Sequence, residues 1–178
     1  MPWMCGPAVM TKPDHRVTVQ NRQRACPVDG AAVRALTLFV LAHEGLPAGA
    51  GATVRMVSDA GMRVFNARYF GKTTPTDVIS FPSMTASGPD AGGAYVGDVV
   101  VSVEQARRYA RAHALEPAVE LARYVIHGLL HCLGYDDVEP RARRRMLPRQ
   151  EALLRAWRRQ PACRSILKLP AITPENVQ

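Results

Sequence analysis

Two histidines, His127 and His131, lie four residues apart in an apolar stretch, and a glycine and two carboxylates follow them. On a helix this spacing places both imidazoles on one face, one turn apart. Two such nitrogens can bind one zinc ion, and a catalytic zinc site commonly adds a third protein ligand and an exchangeable water. Gly134 permits a left-handed turn that brings Asp137 or Asp136 back toward the histidines. The residues therefore predict a metal site of His127, His131 and Asp137, with Asp136 as the alternative third ligand.

The neighbours of the histidines favour a metal over two ordinary core histidines. Val125, Ile126, Leu129 and Leu130 make the predicted helix apolar nearly all round, so we expect it to be buried. A buried polar group without a partner costs about 1 to 3 kcal/mol. A metal would satisfy both imidazoles, whereas the alternative needs separate backbone or side-chain partners for each.

The residue after the first histidine argues against a metalloprotease. Proteases with the H-E-x-x-H motif place a glutamate general base directly after that histidine. Here the position is Gly128, which has no side chain. The helix is therefore predicted to bind a metal without supplying that base, and a metalloprotease is the less favoured alternative.

The chain is strongly basic, with a formal net charge of +8 and a pI near 9.9. A domain of this pI has the electrostatic character expected of a nucleic-acid binder. Part of the excess follows the predicted metal site directly, in Arg141, Arg143, Arg144 and Arg145. We interpret Arg141 and Arg144 as candidate RNA contacts, and the alternative is a solvated helix face.

The elements that must position these residues follow from helix caps and periodicity. Asp29 and Asp59 are predicted to cap helices, and Ser102 with Gln105 forms a capping box. Pro117 suits the first turn of the helix that carries the histidines. The predicted order is β-α-β-α-β-β-α-α-α. This order indicates an α+β fold, with a small mixed four-stranded sheet and about five helices in a single domain.

The boundaries of that domain follow from composition. Residues 1–15 are predicted to be a flexible N-terminal arm, residues 16–159 the functional domain, and residues 160–178 a loose C-terminal tail. The apolar strand at residues 95–101 is expected in the interior of the sheet. Pro148 predicts a kink or a restart in the last helix.

Cysteine spacing and hydropathy indicate the compartment. The four cysteines are far apart and form no C-x-x-C pair. No stretch reaches the roughly 18 apolar residues of a membrane span, and the first residues lack the basic and apolar regions of a secretory signal. We therefore expect reduced thiols, no membrane partner and a cytoplasmic location.

Three motifs in order give the chain a specific resemblance. Residues 66–82 read NARYFGKTTPTDVISFP, residues 97–102 read GDVVVS, and residues 127–137 read HGLLHCLGYDD. They resemble the motifs of the YbeY family of bacterial endoribonucleases and rRNA maturation factors. The resemblance implies one Zn²⁺ per chain, cleavage of single-stranded RNA, and a role in small-subunit rRNA maturation and ribosome quality control. The implied partners are rRNA and ribosome or small-subunit assembly proteins.

Two positions depart from the family pattern. Asp137 stands where the family usually has its third histidine ligand, and Phe70 stands where it often has an arginine linked to activity. Lys72 or Arg68 is the candidate to supply the missing catalytic charge, and Lys72 is also a candidate RNA contact. These departures keep open a second hypothesis, that the chain is a non-catalytic, zinc-containing RNA-binding factor in ribosome assembly.

Overall fold

Four strands and five α-helices form the fold in a computed structural model, which describes residues 15–83 and 94–167. The order of elements agrees with the prediction, and a short 3₁₀-helix follows the last α-helix. The elements are β1 (Arg16–Asn21), α1 (Gly30–His43), β2 (Gly51–Val57), α2 (Asp59–Phe70), β3 (Val78–Pro82), β4 (Tyr95–Ser102), α3 (Val103–Ala112), α4 (Pro117–Cys132), α5 (Pro140–Trp157) and the 3₁₀-helix Pro161–Cys163.

The sheet is mixed, with the strand order β1-β2-β4-β3. Strand β1 is parallel to β2 and β2 is parallel to β4, whereas β3 runs antiparallel to β4. Strand β4 is therefore interior, as its apolar sequence predicted. Helix α4 packs on β3 and β4, and α5 packs on α4. The predicted α+β class and single domain are confirmed.

Most of the helix ends lie where their local signals place them. The side chain of Asp29 accepts hydrogen bonds from two backbone N–H groups of α1, and Ser102 Oγ accepts from Gln105 N. Pro117 begins α4. The cap predicted for α2 was wrong, because Ser58 Oγ accepts from Gly61 N. Asp59 instead binds two side chains on other elements, Ser102 at 2.8 Å and Arg108 at 2.7 Å.

The structure bears on two expectations near the C-terminus. Helix α5 runs through Pro148 as one helix, so the predicted restart was wrong, while a kink at this residue stays a prediction. Residues 160–178 were expected to be a loose tail, and residues 168–178 lie outside the described residues. In the described part of this stretch, Ile166 and Leu167 are buried and Asp29 N donates to Ile166 O at 3.0 Å. Val28 and Leu167 also form an isolated β-bridge. Apolar residues late in the chain thus close the core beside α1.

At the N-terminus, residues 1–14 of the predicted arm lie outside the described residues, while His15 is buried next to β1. Across the two described ranges, no helix has both the length and the apolarity needed to cross a bilayer.

Candidate metal centre

Helix α4 carries both histidines on one face, and their ring nitrogens point at each other. His127 Nε2 lies 3.1 Å from His131 Nε2. The Asp137 carboxylate lies 3.8 Å from the first of these nitrogens and 3.5 Å from the second. The three side chains are 23%, 25% and 33% exposed, in chain order, so the group is open on one side. The structure thus brings together the three residues that were predicted as metal ligands.

Each imidazole is held from behind by an oxygen atom. His127 Nδ1 lies 2.8 Å from Gln150 Oε1 on α5, and His131 Nδ1 lies 3.1 Å from the backbone oxygen of Tyr135. A carbonyl oxygen accepts a hydrogen bond, so each Nδ1 carries the proton and each Nε2 keeps its lone pair. These partners fix the ring orientation that a metal-binding histidine needs.

The turn after α4 delivers Asp137 to the histidines. Gly134 takes the left-handed conformation, with a φ of 87°, and reverses the chain as predicted. Asp136 Oδ1 accepts the N–H groups of Asp137 and Val138 at 2.8 and 3.2 Å, so Asp136 holds the turn. The next carboxylate along the chain then faces the imidazoles.

A clamp formed by Glu44, which follows α1, and Arg149 on α5 holds the same turn from outside. Tyr135 Oη donates to Glu44 at 3.0 Å, and Arg149 Nε pairs with Glu44 at 2.6 Å. Burial, and then the hydrogen bond to this carboxylate, raise the pKa of Tyr135 above its ordinary value, so the phenol stays protonated as a donor. The clamp fixes the backbone oxygen that orients His131.

The donor set fits a metal ion. One ligand atom from each of the three residues can be chosen so that all lie within 4.8 Å of one another. Zinc–nitrogen distances of about 2.0 to 2.1 Å put two tetrahedral donors roughly 3.3 Å apart, close to the 3.1 Å between the two Nε2 atoms. Two lone pairs that face each other at this distance repel unless a cation lies between them. Two nitrogens and one oxygen suit zinc, and the carboxylate also suits manganese.

The glycine between the histidines is required by packing. A Cβ atom at Gly128 would lie 2.4 Å from Val99 Cγ1 and 3.0 Å from Val78 Cγ2. Ser80 Oγ also donates to Gly128 O at 3.1 Å. Position 128 therefore faces the sheet, where the side chain of a glutamate base has no room.

A cleft of about 610 Å³ opens beside the two histidines. Its other walls come from the end of α2, the loop after it, and β3. Its lining residues are Asn66, Phe70, Lys72, Thr74, Pro75, Thr76, Asp77, Val78, Ile79, Ser80, Pro82, His127 and His131.

The predicted basic residues differ in their relation to this cleft. Lys72 lines it. Arg68 is exposed on α2, with its guanidinium carbon 5.6 Å from the centroid of the Tyr69 ring, and is not among the lining residues. Arg141 and Arg144 are exposed at the start of α5 and are also not among them.

The comparison with known proteins decides the family. The family model described as "Endoribonuclease YbeY" matches residues 18–158. The chain belongs to the YbeY endoribonuclease family.

Relatives in this family cover the chain to different extents. An endoribonuclease YbeY of Anaeromyxobacter sp. (strain Fw109-5) is 42% identical over 109 residues, which are 61% of this chain and 55% of that protein. The alignment thus spans about half the length of this relative. An endoribonuclease YbeY of Chloroflexus aggregans is 35% identical over 80% of this chain and 90% of its own length. The Moorella thermoacetica family member is 34% identical over 77% and 94%, respectively.

A solved structure shares the fold. The solution structure of TM1509 from Thermotoga maritima matches with a TM-score of 0.57 at 23% identity, over 82% of this chain and 94% of that chain. At this identity the likeness concerns the fold alone.

The thiol next to the second histidine belongs to the packing rather than to the donor set. Cys132 Sγ lies 3.7 Å from Asp98 O. Burial raises the pKa of this thiol to about 12. Within the described residues, the group that could hold a metal consists of His127, His131 and Asp137, without this thiol.

Sequence reasoning missed two residues that support the site, Gln150 and Glu44. Gln150 is 5% exposed and lies on the buried side of α5 with Met146, Leu153 and Leu154. A polar residue within the apolar stripe of a helix is a signal that sequence carries, because such a residue needs a buried partner. Glu44 follows the end of α1 and carries no comparable signal.

Proposed function

We propose that this chain is a zinc-dependent endoribonuclease that cleaves single-stranded RNA during small-subunit rRNA maturation and ribosome quality control in the cytoplasm. The observation that carries the proposal is the group of His127, His131 and Asp137 beside an open cleft, in a member of the YbeY endoribonuclease family. Its proposed partners are rRNA and small-subunit assembly proteins.

The proposed roles follow from position and charge. The two histidines and Asp137 hold one zinc ion, with their orientation set by Gln150 and the Tyr135 backbone oxygen. When bound, zinc supplies Lewis acidity that polarises a phosphoryl oxygen. Lys72 in the cleft wall offsets phosphate charge beside the site.

The basic surface brings RNA to the cleft. With a net charge of +8, the chain attracts the phosphate backbone over a range set by ionic strength. Arg141 and Arg144 start α5, the helix that follows the Asp137 turn. We assign them phosphate contacts outside the cleft, and we assign Arg68 no contact with the reacting phosphate because it is not among the lining residues.

A second candidate function is non-catalytic RNA binding in ribosome assembly, with the metal as a structural element. It is favoured by Phe70 at the cleft wall, where the family often has an arginine. A protease function is disfavoured, because the packing of Gly128 against Val99 leaves no space for a glutamate base at this position.

The test combines metal analysis with cleavage of a single-stranded RNA and of casein. We expect about one zinc per chain, RNA cleavage that a chelator removes and zinc restores, and no casein cleavage. His131→Ala should lose both metal and cleavage. His113→Ala is the matched control, because His113 is exposed just after α3 and is bonded locally to Tyr109 O. Metal and RNA binding without any cleavage would favour the assembly factor, and chelator-sensitive proteolysis alone would refute the nuclease.

Two aspartate variants test the third ligand. Asp137→Ala should weaken zinc binding strongly, whereas Asp137→His should retain it. Asp136→Ala should loosen the turn and weaken binding less, because its carboxylate bonds to backbone N–H groups. The assignment is wrong if Asp137→Ala binds zinc like the unmutated protein while Asp136→Ala loses it.

A further inference from the structure

Phe70 places an aromatic ring on the wall of the metal cleft. It is the last residue of α2 and is 53% exposed. Single exposed apolar residues are common on protein surfaces, but this one lines the same cleft as His127 and His131. Its location, rather than its exposure alone, calls for an explanation.

The ring remains available for a ligand. The neighbouring aromatic residues of α2 and β3 pack among themselves, with Tyr69 and Phe81 ring centroids 4.7 Å apart and those of Phe65 and Tyr69 6.2 Å apart. Phe70 takes part in none of the ring contacts recorded for residues 15–83 and 94–167.

The cleft wall around this ring is held in place. Gly71 ends α2 in the left-handed conformation and donates to Ala67 O. The buried side chain of Asn66 donates to Thr74 O at 2.7 Å, and Lys72 N donates to Asn66 O at 3.3 Å. Because these hydrogen bonds hold the backbone around Phe70, its backbone loses little conformational freedom when the ring binds a ligand.

We propose that Phe70 is a stacking platform for one unpaired nucleobase of the RNA, and that it favours single-stranded over duplex substrate at this cleft. Every base has a π-face, so stacking on an aromatic side chain tolerates any sequence. A base within a duplex is already stacked and paired and cannot splay onto the ring. Lys72 two residues away offers a cation for the adjoining phosphate. This inference rests on the proposed function. It adds that the cleft recognises an unpaired base of the substrate.

The experiment measures the affinity of the full chain for a single-stranded RNA and for a duplex of the same sequence, with chelator present to stop cleavage. Phe70→Ala should weaken single-strand binding about 5- to 150-fold, the range of one lost base stack, and leave duplex binding unchanged. Phe70→Leu should lose nearly as much, because it keeps an apolar group without a ring. Phe70→Trp should bind at least as tightly as the unmutated protein.

Tyr109→Ala is the matched control, because Tyr109 is an exposed aromatic on α3 that is not among the cleft residues. It should not change either affinity. Equal single-strand affinity in Phe70→Ala and the unmutated protein would overturn the stacking platform, as would equal losses on both RNAs. If the unmutated protein in that case cleaves RNA in a separate assay with zinc and without chelator, the proposed nuclease function still stands. If it neither binds nor cleaves RNA, the proposed function fails as well.

Discussion

Replacing Gln150 by leucine tests whether its buried amide strengthens zinc binding at the candidate metal site. Gln150 Oε1 lies 2.8 Å from His127 Nδ1, and its Nε2 donates to Glu151 at 3.2 Å. With a metal on Nε2 of the imidazole, the proton must stay on Nδ1. Gln150→Leu then leaves that N–H without its acceptor. Without metal, the imidazole can move its proton to Nε2, so the penalty falls mainly on the metal-bound state.

The size of the effect follows from burial. An unsatisfied buried donor costs about 1 to 3 kcal/mol, or roughly 5- to 150-fold in a binding constant. Loss of the partner of a metal-binding histidine typically costs about 10- to 100-fold in affinity. The glutamine is 5% exposed, so water cannot readily take its place. We therefore expect Gln150→Leu to weaken zinc binding about 10- to 100-fold.

The assay is competition between the protein and a chromophoric chelator for zinc, repeated with cobalt to follow its visible absorption. Gln150→Glu keeps an oxygen acceptor and should retain tight binding. Gln160→Leu makes the same exchange at an exposed position and should change nothing. Zinc affinity within twofold of the unmutated protein in Gln150→Leu would refute the reasoning.

Three further perturbations follow from other contacts. Gly128→Ala should lower the urea midpoint by the equivalent of about 1 to 3 kcal/mol, because its Cβ would lie 2.4 Å from Val99; an unchanged midpoint would contradict this packing. Reversal of Arg141 and Arg144 to glutamate should weaken RNA binding and flatten its salt dependence, whereas an unchanged slope would mark a solvated face. Burial raises the pKa of Glu120, so its effect on stability becomes less favourable as pH rises through the folded pKa. Glu120→Gln should therefore gain urea stability relative to the unmutated protein as pH rises above the ordinary glutamate pKa of 4.5, and a relative loss would contradict that sign.

Local signals predicted the parts of the fold that local interactions decide. Asp29 and Ser102 cap helices with side-chain oxygens a few residues away, and Gly134 turns the chain through its own backbone conformation. The two histidines share a face because helical periodicity alone puts them there. Such features depend on neighbours within about four residues, so the sequence displays them directly.

The contacts that the sequence did not predict are those between residues far apart in the chain, which depend on how the helices and strands pack. Ile166 is buried because it meets the start of α1, more than 130 residues earlier in the chain. Asp59 resembles a cap in sequence, yet its carboxylate binds Ser102 and Arg108, which lie beside it because α2 packs against β4 and α3. Gln150 meets His127 only because α5 packs across α4 with that face inward.

In the candidate site, the packing of α4 against the sheet and the chemistry of its two histidines depend on the same residue, Gly128. Close approach of α4 to the sheet requires a residue without a Cβ atom at position 128. That glycine lies between the histidines, so the packing that positions the imidazoles also excludes a glutamate side chain from position 128. The groups that we propose contact the substrate lie elsewhere on the cleft wall, where α2 ends at Phe70 and the loop after it carries Lys72. Asn66 ties that loop to α2, so the cleft places the candidate metal site on α4 beside a second wall that is held in position.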